Sequence, residues 1–146
     1  ALLKKMKVKH IYARAVDEIH STILEAFNLD CILTPEKVAA RSLSQRLDLK
    51  VNVESFKVDD EHYVLKFKVP YLLVGYKLKD LQFEFEYNIK IIALIEGEHG
   101  LNSLGMSVIK HQIASSIDQE YQLMDNDELV CYGLYKDFIR FWKSIK

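Results

Sequence analysis

The sequence predicts an α/β protein, α+β overall: the closing part of an open parallel sheet, followed by a small mixed or antiparallel sheet packed with helices. Three observations carry this. From Val8 to Pro35 two apolar, β-forming runs flank one amphipathic stretch, the pattern of a βαβ unit. After Asp48 the apolar period switches from helical to alternating, with Val51 and Val53 on one side and Asn52 and Glu54 on the other. Near the end, Phe138, Phe141, Trp142 and Ile145, together with Ile139, give one helix a broad apolar face that has to dock on a sheet. The switch of period sets the expected boundary, with residues 1–49 in a first subdomain and 50–146 in a second.

Residues 1–7 read as the end of a helix feeding the first strand, expected over Val8–Ala15, where Val8, Ile11 and Tyr12 are β-formers. A βαβ unit belongs to a larger open sheet, so the chain is expected to begin inside one. Asp17 is placed to cap the next helix, whose Val16, Ile19, Ile23 and Phe27, with Leu24 beside them, form one apolar stripe for the sheet. Asn28 and Asp30 end that helix. Cys31-Ile32-Leu33 then reads as a short parallel strand, and Thr34-Pro35 opens a further helix to Leu47, with threonine as cap and proline at the first helical position. Val38, Ala39, Leu43 and Leu47 line one face of it while Arg41, Gln45 and Arg46 lie off that face, so it is expected to cover the sheet or a partner subunit.

The second subdomain opens with strands at Val51–Val58 and Tyr63–Val69, joined as a hairpin by the acidic turn Asp59-Asp60-Glu61. Leu78 and Leu81 suit a short helix. Phe83, Phe85 and Tyr87 alternate with Glu84 and Glu86 as in a strand, yet Asn88 before an apolar run suits a left-handed helix cap, and the balance favours a helix for part of this stretch. Ile89–Ile95 reads as a buried strand, and Gly97, Gly100 and Gly105, with Asn102 and Ser103, as a long flexible loop. Strands follow at Ser107–Ala114, Glu120–Leu123 and Glu128–Gly133, before the closing helix.

The whole-chain quantities exclude several classes. With 146 residues and 49% hydrophobic content the chain can bury a core of its own. Its 20 basic and 21 acidic residues carry no block of like charge, which argues against nucleic acid and against an anionic membrane surface as partners. No apolar run approaches the roughly 20 residues that span a bilayer, and ALLKKMKVKH lacks the apolar core of a signal peptide, so a cytoplasmic location without membrane insertion is expected. Cys31 and Cys131 both fall in expected strands and read as buried thiols. No nucleophile elbow, phosphate loop or cysteine with a neighbouring base occurs, so no catalytic residue is assigned and the protein is not expected to be an enzyme. The five histidines show neither i, i+4 spacing nor a C-x-x-C partner, so no metal ligand is assigned.

The run YARAVDEIHSTILEAFNLDCILTPEKVAARSLSQRL resembles the second half of the N-terminal, Rossmann-like subdomain of regulator of potassium conductance (RCK) domains. DDEHYVLKFKVP, VGYKLKDL, YNIKIIALIEG and LMDNDELVCYGLYKDFIRFW resemble, in the same order, the C-terminal subdomain of those proteins (RCK-C, also TrkA-C). The resemblance implies a cytoplasmic regulatory subunit of a bacterial potassium uptake system of the Ktr or Trk type, peripheral to the membrane through a potassium-translocating subunit. It implies a homo-oligomer, a dimer that in full-length proteins builds an octameric ring, sensing a small ligand at the dimer interface. Two further classes stay open: the sensory module of another transporter or antiporter, and a dimerisation domain without a ligand.

By the same resemblance, Arg14 at the end of the first strand faces nucleotide phosphates, and Glu36 helps hold a cation beside them. The residues alone read as a surface arginine pairing with Asp17 or Glu18, and as a carboxylate complementing a helix N-terminus. The G-x-G-x-x-G turn that seats the nucleotide in that family is not in the chain, whose first glycine is Gly75, so tight NAD or ATP binding is not expected. Asn88, Ile89, Lys90 and Ile91 are the positions that the resemblance assigns to a small-ligand pocket for cyclic di-AMP or another nucleotide. The sequence departs from the family pattern at Asn88, where glycine is usual, at Lys90, where a small polar residue is usual, and at Ser115-Ser116, where a proline is expected. His20 reads as a half-buried packing residue, and the Asp59–His62 turn as a solvated turn, since hard-cation sites need about six oxygens.

Overall fold

The computed structural model describes residues 2–145. The chain divides into two compact units, one up to Ser44 and the other from Gln45 onward, so that the division falls inside a helix.

The first unit contains α1 (Leu2–Lys5), β1 (Tyr12–Arg14), α2 (Glu18–Ala26), β2 (Cys31–Leu33) and the first turns of α3 (Pro35–Leu49). β1 and β2 pair in parallel, with Ala13 opposite Ile32, which is the expected βαβ connection. Asp17 caps α2 by accepting from the His20 N–H at 2.7 Å, and the half-buried His20 accepts in return from Val16 N–H at 3.3 Å through Nδ1. The first strand is shorter than the β-formers suggested. A strand extends only as far as a partner satisfies its backbone, β2 has three residues, and Asp30 already accepts from Ile11 N–H at 2.8 Å. Ala15 is the one buried residue among the described residues of this unit, and Val16, Ile19 and Ile23 stay 70%, 75% and 52% exposed. The expected burial of that stripe on the sheet therefore does not occur, because three-residue strands offer too little surface. Cys31 is likewise only half-buried.

The second unit is an antiparallel sheet with the order β3-β4-β7-β5-β6, made of β3 (Val53–Lys57), β4 (His62–Lys68), β5 (Lys90–Leu101), β6 (Ser107–Ile113) and β7 (Glu128–Leu134). Two 3-10 turns (Tyr71–Leu73 and Leu78–Leu81) and α4 (Phe83–Tyr87) lie between β4 and β5, and α5 (Tyr135–Ser144) closes the chain. Val53, Leu65, Phe67, Leu94, Leu129 and Cys131 form the buried sheet face, and Phe138, Phe141 and Trp142 of α5 pack in the same core. Phe67 meets Phe141 and Trp142 with ring centroids 6.3 and 5.1 Å apart, so the expected docking of the aromatic helix is what holds this unit together. Each such ring contributes about 1.5–3 kcal/mol by burial.

Four expectations are corrected here. In α3 the apolar stripe Val38, Leu43 and Leu47 is exposed, so of its two expected covers the sheet is not the one it has, whereas Gln45 and Leu49 are buried. Gln45 tolerates burial because the Ser55 hydroxyl donates to its side-chain oxygen. The glycine-containing stretch from Gly97 is not a loop: β5 continues to Leu101 and pairs with β6, leaving a tight turn in which Asn102 accepts from Leu104 and Met106 N–H. Gly97 is in the strand for a steric reason, since a side chain there would collide with the Asn126 carbonyl. Glu120–Leu123 is not a strand. It faces the irregular segment 75–79, so the pairing is a single bridge, Lys77 to Gln122, with backbone bonds from Leu78 to Tyr121 and from Gly75 to Leu123. Finally, β5 bulges between Ile91 and Ala93, which leaves Ile92 47% exposed rather than in the core.

Candidate functional site

Two places bring site candidates together, one in each unit. In the first, Arg14 and Glu36 form an ion pair with each other, Arg14 from the end of β1 and Glu36 from the first turn of α3. The arginine thus takes neither Asp17 nor Glu18 as partner. Glu36 also lines a depression of about 490 Å³ with Asp17, Glu18, Glu25, Thr34 and Lys37. Both side chains of the ion pair are more than half exposed, so the pair is screened and is worth about 0–1 kcal/mol.

In the second unit a cavity of about 460 Å³ opens beside the start of β5. Of the four positions that the resemblance assigned to a ligand pocket, Ile89, Lys90 and Ile91 line it and Asn88 does not. Asn88 instead holds the αL conformation that ends α4, with φ +55°, which asparagine adopts at little strain. Phe83 and Ile89 form the buried floor, Phe85 stands 88% exposed at the rim, and Leu78 and Ile117 complete the apolar part. Lys79, Gln82, Glu84, Lys90 and Gln119 supply the polar groups.

Three local features build this wall. α4 is closed at both ends by αL residues, Gln82 at φ +48° and Asn88 at φ +55°, and the Ile89 N–H returns to the Phe83 carbonyl at 3.1 Å. Phe83 is anchored edge to face on Phe141. Lys79 N–H donates to the Gln119 carbonyl at 3.1 Å, which brings the segment around Ile117 and Gln119 to the cavity. Lys77 and Lys79 both reach Glu120, whose carboxyl is held below its ordinary range first by Lys79 and then by Lys77, so these lysines are already engaged. Lys90 and Glu84 take part in no ion pair among the described residues.

Of the lining, the sequence singled out Ile89, Lys90 and Ile91 but not Leu78, Lys79, Gln82, Phe83, Glu84, Phe85, Ile117 and Gln119. The alternation of Phe83 and Phe85 with glutamates was visible, but its meaning depended on α4 being a helix. Elsewhere, Asp59 accepts from Glu61 N–H, His62 N–H and the His62 ring within 2.9 Å, so the acidic turn is satisfied by itself. No cluster of three or more His, Cys, Asp or Glu side chains able to hold a metal occurs among the described residues. No helix among them is long and apolar enough to cross a membrane.

No family model matches the chain. It is 24% identical over 144 residues to the Ktr system potassium uptake protein C of Bacillus subtilis (strain 168), covering 99% of this chain and 59% of that protein. The similarity is to potassium uptake proteins of the Ktr system. A second, the Ktr system potassium uptake protein A of the same organism, is 26% identical over 140 residues, 96% of this chain and 57% of the relative. The chain therefore spans somewhat more than half the length of these Ktr relatives. Among solved structures, the GsuK RCK domain is similar over 93% of this chain and 27% of its own, at 20% identity and a TM-score of 0.41. The RCK C domain of the potassium transport protein KtrA, in complex with cyclic diadenosine monophosphate, is similar over 72% of this chain and 98% of its own, at 24% identity and a TM-score of 0.40. The resemblance to RCK regulatory proteins of potassium uptake, read from the sequence, agrees with these Ktr relatives.

Proposed function

We propose that this chain is the sensing part of a regulatory protein of potassium uptake, with residues 50–146 as an RCK-C ligand-binding and dimerisation subdomain and residues 1–49 as the end of a nucleotide-binding one. The similarity to Ktr proteins along 99% of the chain supports the role. The observation that carries the ligand reading is the cavity at Ile89, Lys90 and Ile91, where an apolar floor and exposed aromatic Phe85 meet one uncommitted lysine. Such a lining suits a purine nucleotide: the flat base lies on apolar and aromatic groups, and the lysine meets a phosphate as a point charge. The protein acts as a homo-oligomer docked on a potassium-translocating membrane subunit, without an enzymatic step. Ligand occupancy controls that partner through a difference in affinity between two arrangements of the oligomer. Calorimetric titration of cyclic di-AMP tests the site, with Lys90→Ala as the variant and Ile89→Ala, checked by thermal melting, as a packing control. Binding weakened about tenfold or more by Lys90→Ala is expected. Absence of binding up to millimolar nucleotide removes the reading.

A further inference from the structure

We infer that β6 is a docking edge for a second copy of this chain, the two β6 strands pairing antiparallel about a two-fold axis at His111 so that the two sheets join into one. The inference rests on the homo-oligomer of the reading above and gives it a surface; it does not use the cavity.

β6 is an outer strand of the sheet, and its only strand partner among the described residues is β5. β7 pairs with β5 only as far as Ile95, so residues 96–112 run on as a two-stranded ribbon. A ribbon of two strands is marginal in water by itself and gains from a third. The ladder shows what its free edge offers. Asn102 N–H donates to the Met106 carbonyl and Ala114 N–H to the Leu94 carbonyl, so in the register between them the even residues Val108, Lys110 and Gln112 exchange bonds with β5. The N–H and C=O groups of Ser107, Ile109, His111 and Ile113 point away from β5. Two usual protections of an edge, a proline and a bulge, are missing: the prolines are Pro35 and Pro70, and β6 keeps an unbroken register.

The symmetry of the edge names its occupant. A two-fold axis at His111 sets the outward groups of Ile109 against those of Ile113 of the second copy, and those of Ile113 against its Ile109, each N–H meeting a carbonyl. Ile109 and Ile113 share one face of β6, are 42% and 67% exposed, and cover one another in both pairs. Lys110 meets the neutral Gln112 amide. An axis at Lys110 would set two lysines side by side, and one at Ile109 would leave Ile113 opposite Gly105, so neither matches charge and apolar surface as this register does.

Single cysteines in a Cys31→Ser background test the register through disulfide formation under mild oxidation. His111→Cys lies on the axis and faces its own counterpart with Cα atoms about 5.5 Å apart, within the reach of a disulfide. Ser107→Cys faces position 115 of the second copy, so its counterpart is about 27 Å away. His111→Cys is expected to link at least about tenfold faster, because pairing holds its thiols at a high effective concentration. Adding Ile109→Pro, which removes an outward N–H and no bond to β5, is expected to abolish the link while a cooperative thermal melt shows the fold kept. Equal linking at the two positions, no link at His111→Cys, or a link that persists with Ile109→Pro overturns the inference. Light scattering of the wild type separates it from the reading it rests on: a dimer without the His111→Cys link overturns this edge alone, and a monomer overturns the edge and the homo-oligomer together.

Discussion

Phe83 and Phe141 meet edge to face, with ring centroids 4.8 Å apart and planes at 65°. The contact joins the wall of the candidate cavity to the aromatic helix that packs in the core, so stability and site geometry share one element. Phe141 also meets Phe67, Tyr87 and Trp142. Phe141→Ala is expected to cost about 3–5 kcal/mol in urea unfolding and to weaken ligand binding as α4 loosens. A loss under about 1 kcal/mol, the scale of a surface substitution, would contradict the packing described.

Asp127 is 1% exposed and accepts three hydrogen bonds, from Gly97 N–H at 3.0 Å, the Tyr121 hydroxyl at 2.9 Å and Met124 N–H at 2.8 Å. Burial and then this carboxylate push ionisation of the Tyr121 hydroxyl well above its ordinary range. Asp127→Ala strands all three donors and is expected to cost about 3 kcal/mol or more. Asp127→Asn keeps one acceptor oxygen and should recover part of that. Equal melting temperatures for the two variants would count against the network.

Gly97→Ala tests the steric account of β5. An added methyl meets the Asn126 backbone, which Asp127 fastens, so the segment has to shift. The expected result is a loss of about 1–3 kcal/mol, as for other overpacking substitutions. Gly105→Ala, where a methyl meets nothing but φ is +75°, is expected to cost about 1 kcal/mol from backbone strain alone. Thermal melts of the two variants should rank Gly97→Ala as the more damaging.

The Asp59 carboxyl is lowered to about 2, first by the His62 backbone N–H, then by the Glu61 N–H and the His62 ring. Its folded value lies below the ordinary 3.8, so its contribution is present above pH 4 and is lost as pH falls toward 2. Melting temperatures of the wild type and Asp59→Ala should differ most at pH 5, draw together as pH falls from about 4, and converge only below about pH 2. A difference that is constant across this range would remove the turn's role in the acid response.

Local chemistry alone determined much of this protein. The Asp17 cap, the Cys31–Leu33 strand, the proline that starts α3, the αL cap at Asn88 and the aromatic face of α5 each depend on a few neighbouring residues, and each formed where the sequence placed it. The likeness to potassium uptake regulators was also legible, because it lies in the order of short motifs. Tertiary structure decided the rest. Gly97 and Gly100 looked like loop residues because glycine favours loops, yet they sit in β5, where Asn126 and Lys110 approach the backbone. Gln45 looked solvent-facing, and it is buried because Ser55 satisfies it. Lys79 and Gln119 are distant in sequence and share a cavity because backbone pairing between segments 75–79 and 119–123 brings them together beside the start of β5. Periodicity reports which face of an element is apolar, whereas the identity of whatever covers that face is a long-range property that no local pattern encodes.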